Sequence, residues 1–202
     1  MKATTVAAGA AAAVWALLVA ASPRWFFFAA APFCALWIAL SLRAAPAGTA
    51  ARLRPRASDV GVAATLALVL YAATRAFLWA GCGGATDALC APLGAMFVRF
   101  HTRTLLAGVV LGMLVAPAEE LFWRGFVQER LVLRFGRWRA VLVTTGLAVA
   151  LALATREPFL ALATVPTYAA WGALAAWRRS LVAPIVSHAV WSVLIATVAP
   201  PV

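Results

Sequence analysis

The chain has 202 residues, 65% of them hydrophobic and only 11% charged, whereas a soluble domain is about half apolar and roughly a quarter charged. That balance excludes a soluble globular protein and indicates an integral membrane protein. The net charge of +11 would suggest nucleic-acid binding in a soluble chain, but the arginines fall in short connections between apolar runs. Membrane topology accounts for them, and no nucleic-acid partner is expected.

Apolar runs predict seven helices, at about 3–22, 25–42, 59–80, 104–128, 139–155, 158–177 and 180–199. Lipid offers no partner to backbone polar groups, and these runs are too long for barrel strands. The fold class is therefore all-α, a polytopic transmembrane helical bundle of about seven spans. The first run is mostly alanine with Trp15 and Leu17-Leu18, and reads as packing or anchoring. Ser22-Pro23-Arg24 makes a tight turn into the second run, which favours a retained helical hairpin over a cleaved signal. Phe26-Phe27-Phe28 and Trp37 read as lipid-facing or interfacial aromatics, and Cys34 as a small buried hydrophobe.

Residues 43–58 place Pro46, Gly48 and Pro55 among four arginines and read as a flexible polar connection. The expected organisation is an N-terminal hairpin with this basic connection over 1–58, then a membrane bundle over 59–202. Arg75, near the outer end of the third run, is expected to snorkel to the headgroups. Cys82 and Cys90 flank a Gly-rich loop and suit a disulfide if that loop faces an oxidising compartment. No nearby His or Cys completes a zinc site with them.

Sidedness follows from the basic residues. With Lys2 inside, the inner connections hold Arg43, Arg52, Arg54, Arg56, Arg130, Arg134, Arg137, Arg139, Arg178 and Arg179. The outer ones hold only Arg24, Arg99, Arg103 and Arg156. The asymmetry predicts a cytoplasmic N-terminus and places Cys82 and Cys90 outside.

The fourth run carries the main chemical signal, Glu119-Glu120-Leu121-Phe122-Trp123-Arg124. Carboxylates at membrane depth cost several kcal/mol unless something offsets them, so a functional reading is the default. Glu120 and Arg124 are four apart and share a helix face, with the carboxylate first, which favours a pair. Glu119 projects about 100° away, which leaves it without the cation and suits it to act as a general base toward water. The bland alternative is a structural ion-pair knot of all three. In the last run His188 and Ser192 are four apart on one face, beside Trp191. Alone, His188 is equally well read as a hydrogen-bonded core residue.

Glu119-Glu120-xxx-Arg124 continued by Gly125, the basic Arg130 to Arg139 connection, and Ser180-Leu181-x-x-Pro184-x-x-x-His188 resemble the CPBP family. These are the CAAX prenyl endopeptidase and bacteriocin-processing intramembrane proteases, also called Abi. The resemblance covers about residues 104–199 within the 59–202 bundle. It implies that Glu119 is the general base, that Glu120 with Arg124 braces the helix, and that His188 stabilises the oxyanion. The chain departs from the pattern twice: Thr155 stands where the family has a histidine after an aromatic, and Ser192 where it has an asparagine. The resemblance leaves open whether the family's chemistry uses a metal. One histidine and two carboxylates, one paired with arginine, make a poor zinc set, so metal-free chemistry without a cofactor is expected.

The expected function is a glutamate-dependent intramembrane endopeptidase acting on a membrane-embedded or lipid-associated protein or peptide near its terminus, as in sorting-signal processing. The expected location is the cytoplasmic membrane of a bacterium. The alternative is a catalytically impaired scaffold or bacteriocin-immunity protein, motivated by Thr155 and Ser192. A proton-coupled transporter finds no support, since no discontinuous helix pair or internal repeat is present.

Overall fold

In the computed structural model, residues 2–21, 26–81 and 105–198 are described, the side chains of residues 2–5, 8, 81 and 198 apart. All regular structure among them is helical, and the chain is an all-α, multi-pass membrane bundle. The helices are α1 (Lys2–Ala21), α2 (Phe26–Ala44), α3 (Thr49–Arg52), α4 (Ala57–Gly81), α5 (Leu105–Phe135), α6 (Arg137–Ala154), α7 (Pro158–Arg178) and α8 (Val182–Val193). A π-helical turn, Leu194–Val198, extends α8. Five stretches are long and apolar enough to cross a membrane: α2, Ala57–Ala80, α5, α6 and α7. The apolar stretches Gly9–Ala21 and Val182–Thr197 are shorter. Cys82, Cys90, Arg24, Arg99 and Arg103 lie outside the described residues, and with them the expected disulfide.

α5 occupies the centre of the bundle. It packs against α2 on one side and α8 on the other, while α1 leans on α2 and α6, and α7 pairs with α6. Four of the buried positions of α2, namely Ala30, Cys34, Trp37 and Ser41, recur at helical spacing and turn one stripe inward. Trp37 therefore departs from the interfacial reading: it is fully buried, its ring 5.1 Å from Phe122 of α5. Phe26 is also buried, whereas Phe28 faces outward.

The connection over 43–58 is more structured than its composition suggests. Thr49, the first residue of the single turn α3, ties the turn before it by donating from its hydroxyl to the Pro46 carbonyl at 2.8 Å. The Arg52 carbonyl accepts from the Leu181 N–H at 2.9 Å, while its side chain forms an ion pair with Glu129. Burial lowers the Arg52 guanidinium from its ordinary range, and Glu129 opposes that shift. Arg130 closes the end of α2 by donating to the Ala44 carbonyl at 2.9 Å. Arg178 reaches Asp59 at 2.8 Å and Ser58 at 2.7 Å. Arginines that read as topology signals thus also satisfy carbonyls and carboxylates at helix ends.

Between α5 and α6 the chain breaks at Gly136, whose φ of 76° suits a residue without Cβ. Gly172 of α7 marks a close approach of α7 to α5 and α6. A Cβ built there would stand 3.1 Å from both Gln128 Oε1 and Val141 Cγ1. The bare backbone also lets Gln128 donate to the Gly172 carbonyl at 3.1 Å, tying α5 to α7.

Candidate active site

The local course of α5 decides how its two glutamates are presented. Pro117 has no N–H to donate and its ring crowds the preceding turn. Immediately before it, Leu111–Val115 forms a π turn, with the Ala116 N–H donating to the Leu111 carbonyl. A second π turn, Leu121–Val127, follows Glu120. Glu119 and Glu120 therefore sit in one short α-helical turn, Ala116–Glu120, between two wider ones. Wide turns of this kind recur where a helix must aim side chains at a site. At 1.5 Å per residue, Glu119 lies about 21 Å from Leu105 and about 24 Å from Phe135, well inside the helix.

The two carboxylates have different surroundings. Glu120 is fully buried, and its Oε1 meets Arg124 Nη1 at 3.0 Å and His188 Nδ1 at 2.9 Å. Arg124 is equally buried and donates from Nη2 to the Tyr168 carbonyl at 2.8 Å. Its guanidinium carbon lies 4.4 Å from the Tyr168 ring centroid, a cation–π contact that suits a desolvated arginine. Glu119 instead borders a cavity, with 12% of its side chain exposed. Its Oε1 accepts from the Trp15 indole at 2.6 Å and its Oε2 from the Tyr168 hydroxyl at 2.5 Å. Oε2 stands 3.9 Å from His188 Nε2, a gap that a water oxygen could bridge.

His188 is fixed in plane as well as position. Its ring stacks on Trp171 at 4.0 Å between centroids and 15° between planes. Trp171 in turn donates from Nε1 to Ser187 Oγ at 3.2 Å. With Nδ1 directed at Glu120, Nε2 is the nitrogen left to face Glu119. The cavity, about 230 Å³ in volume, is bordered by Trp15, Glu119, Thr155, Tyr168, His188 and Ser192 among mainly apolar neighbours.

The structure thus brings Glu119, Glu120, Arg124 and His188 into one contiguous cluster. Ser192 lies on the same wall of the cavity as His188, one helical turn further along α8. Thr155 also borders the cavity, but its hydroxyl donates to the Ala152 carbonyl at 2.6 Å, closing the end of α6. Among the described residues no group of three or more His, Cys, Asp and Glu stands ready to hold a metal ion. The donor chemistry does not fit one either, since Glu120 already carries a guanidinium at 3.0 Å.

Sequence reasoning missed two residues of this cluster. Tyr168 belongs to a stripe with Thr164 and Trp171 at helical spacing, a polar and aromatic seam in an otherwise apolar helix. That seam was legible in principle. Trp15 was not, because a tryptophan in an alanine-rich run carries no sign of which distant carboxylate it meets.

Neither the curated proteins nor the solved structures yielded a significant match to the chain. A family model does match. It is described as type II CAAX prenyl endopeptidase Rce1-like and covers residues 101–194, with Glu119, Glu120, Arg124, Thr155, His188 and Ser192 inside it. The match supports protease activity in general and a membrane-embedded enzyme acting on a substrate. Over residues 101–194 the chain is thus similar to the Rce1-like family, in agreement with the CPBP resemblance of its motifs.

Proposed function

We propose that the chain is a glutamate-dependent intramembrane endopeptidase that cleaves a membrane-embedded or lipid-associated protein or peptide near its terminus. The observation that carries this reading is the pairing of Glu119 Oε2 and His188 Nε2, 3.9 Å apart at the edge of an apolar cavity. A water between them lies within reach of a general base. Glu119 takes one proton from that water as its oxygen bonds to the scissile carbonyl carbon. His188 holds a proton on Nδ1 toward Glu120, and an N–H on Nε2 donates a hydrogen bond to the carbonyl oxygen as it becomes an oxyanion, keeping its proton throughout. Ser192 supplies a hydroxyl to the same oxygen, in place of the family's asparagine. Collapse of the tetrahedral intermediate breaks the C–N bond, and Glu119 returns its proton to the leaving amine. Donors placed in a dry site are the largest contribution in reactions of this type. Glu120 and Arg124 act as a brace, and Thr155 as part of the cavity wall.

The substrate's apolar part, a lipid or a helical tail, occupies the cavity, and the setting is a bacterial cytoplasmic membrane with the N-terminus inside. A second reading, a scaffold or immunity protein that holds a peptide in the same cavity, draws on Thr155. Its hydroxyl is turned to its own helix, which leaves no second histidine beside the base.

Terminal proteomics of membrane and secreted fractions separates the two. Wild type, a deletion strain and Glu119→Gln are compared at matched protein level. Loss of a general base lowers turnover by about 10²–10⁴-fold, so the same cleaved termini are expected to vanish in both mutants. If Glu119→Gln keeps every product that the deletion loses, the protease reading is wrong and the scaffold reading stands.

A further inference from the structure

The N-terminal helix α1 lies outside the stretch that matches the family model, yet it delivers a hydrogen bond to the proposed base. Trp15 is 7% exposed, and its indole nitrogen stands 2.6 Å from Glu119 Oε1. Its ring is held from three sides, stacked on Phe33 at 6.0 Å and tilted against Phe26 at 5.6 Å and Trp37 at 6.1 Å. Three aromatic neighbours from α2 thus fix the direction of one N–H. Tyr168 of α7 supplies the second donor, on the other carboxylate oxygen.

The need for such a clamp is visible in the site. Glu119 has no guanidinium of its own, because Arg124 is engaged by Glu120 and by the Tyr168 carbonyl. Thr155, at the place of the family's second histidine, donates to the Ala152 carbonyl. A glutamate has three side-chain torsions, and a site left to find its geometry loses rate steeply with small misplacements. Donors on Oε1 and Oε2, from two different helices, restrict those torsions and still leave each oxygen a lone pair for water.

We propose that Trp15 is a positioning residue, and that its indole N–H, together with the Tyr168 hydroxyl, orients Glu119 toward His188. The N-terminal helix is then a working part of the site rather than an anchor. This inference rests on the reading of Glu119 as the base, and the test separates the two.

Full-length Trp15→Phe, Tyr168→Phe and the double variant are assayed in lipid nanodiscs on the substrate peptide named by the proteomics. Leu18→Ala serves as a packing control, since Leu18 is on the same helix and packs against the same core without touching Glu119. Trp15→Phe is expected to lower kcat about 10- to 100-fold with KM changed less than about threefold, in line with loss of a geometric constraint. Leu18→Ala is expected to keep kcat within about twofold. The double variant should fall short of the product of the two single effects, because both donors act on one carboxylate. Trp15→Phe with wild-type kcat, or Leu18→Ala with an equal loss of kcat, overturns the proposal.

A second readout needs no activity. In ¹⁵N spectra of the nine indole groups, the Trp15 signal is assigned in the wild-type chain from its through-space contacts to the Trp15 backbone amide, without need of a Trp15 variant. A charge-assisted hydrogen bond is about twice as strong as a neutral one, so this signal is expected to move upfield in Glu119→Gln. An unmoved Trp15 signal overturns the proposal even where Trp15→Phe fails to fold. Absence of turnover in the wild type would instead sink the endopeptidase reading, while the indole signal still reports whether Trp15 holds Glu119.

Discussion

Two adjacent carboxylates in the middle of α5 divide into a paired one and a poised one because the helix turns them to different neighbours. Glu120 accepts from Arg124 and faces His188 within 3.0 Å, while its Oε2 is buried without a hydrogen-bond partner. Such a carboxylate depends on its cation. Removing one partner of a buried pair costs about 3–5 kcal/mol, because the remaining charge stays in a low dielectric. Arg124→Ala is therefore expected to lower the melting temperature and folded yield in detergent well below those of Glu119→Gln, which keeps its neighbours uncharged or paired. A normal melting temperature would mean that Glu120 is solvated. At this scale the sequence was informative about the pair, since Glu120 and Arg124 lie four apart and little else in the segment competes for them. It was silent about which carboxylate Tyr168 and Trp15 meet, since their contacts to Glu119 span 49 and 104 residues of chain. Local spacing carries no information on contacts of that length.

Elements were easier to read than the contacts between them. Each of the seven apolar runs corresponds to a helix, because length and hydrophobicity alone decide whether a backbone can remain in lipid. The boundaries moved where charge and apolar character mix. Residues 128–135 continue α5 as an amphipathic tail, and Thr49–Arg52 folds because Leu181 and Glu129 give it partners. Of the π turns that flank Glu119 and Glu120, the first precedes Pro117 and the second has no proline, and both pack against α2, so length and hydrophobicity do not announce them. Gly172 shows how tightly these elements meet. Gly172→Val would add three heavy atoms where even a Cβ stands 3.1 Å from groups on two other helices. Overpacking of this kind costs about 1–3 kcal/mol, so the variant should melt earlier and lose the Gln128 bond to the Gly172 carbonyl. Unchanged melting would mean that α5 and α6 can yield there.

At the scale of the whole molecule, the connections that the positive-inside rule assigns to one side are also joined to one another. Arg130 reaches the end of α2, Arg52 meets both Glu129 and Leu181, and Arg56 donates to the Arg178 carbonyl at 3.3 Å. Thr155, Arg156 and Pro158 lie at the other ends of α6 and α7. A bundle fastened in this way can be inserted in one orientation or its reverse, but its ends cannot be shuffled independently. Charge bias then acts on the assembly as a unit, and the eleven inner basic residues against four outer ones favour a cytoplasmic basic end. Single cysteines test this, placed in a background where Cys82 and Cys90 are changed to serine. Arg54→Cys and Arg134→Cys, both at exposed positions of the basic end, should resist a membrane-impermeant maleimide in intact cells and react after lysis. Pro158→Cys, exposed at the opposite end, should react in intact cells. The reverse pattern would turn the bundle over and place the mouth of any substrate path on the other side. Labelling of Arg54→Cys and Arg134→Cys from different sides would contradict the packing of the three connections itself, because Arg52 and Glu129 could not then meet.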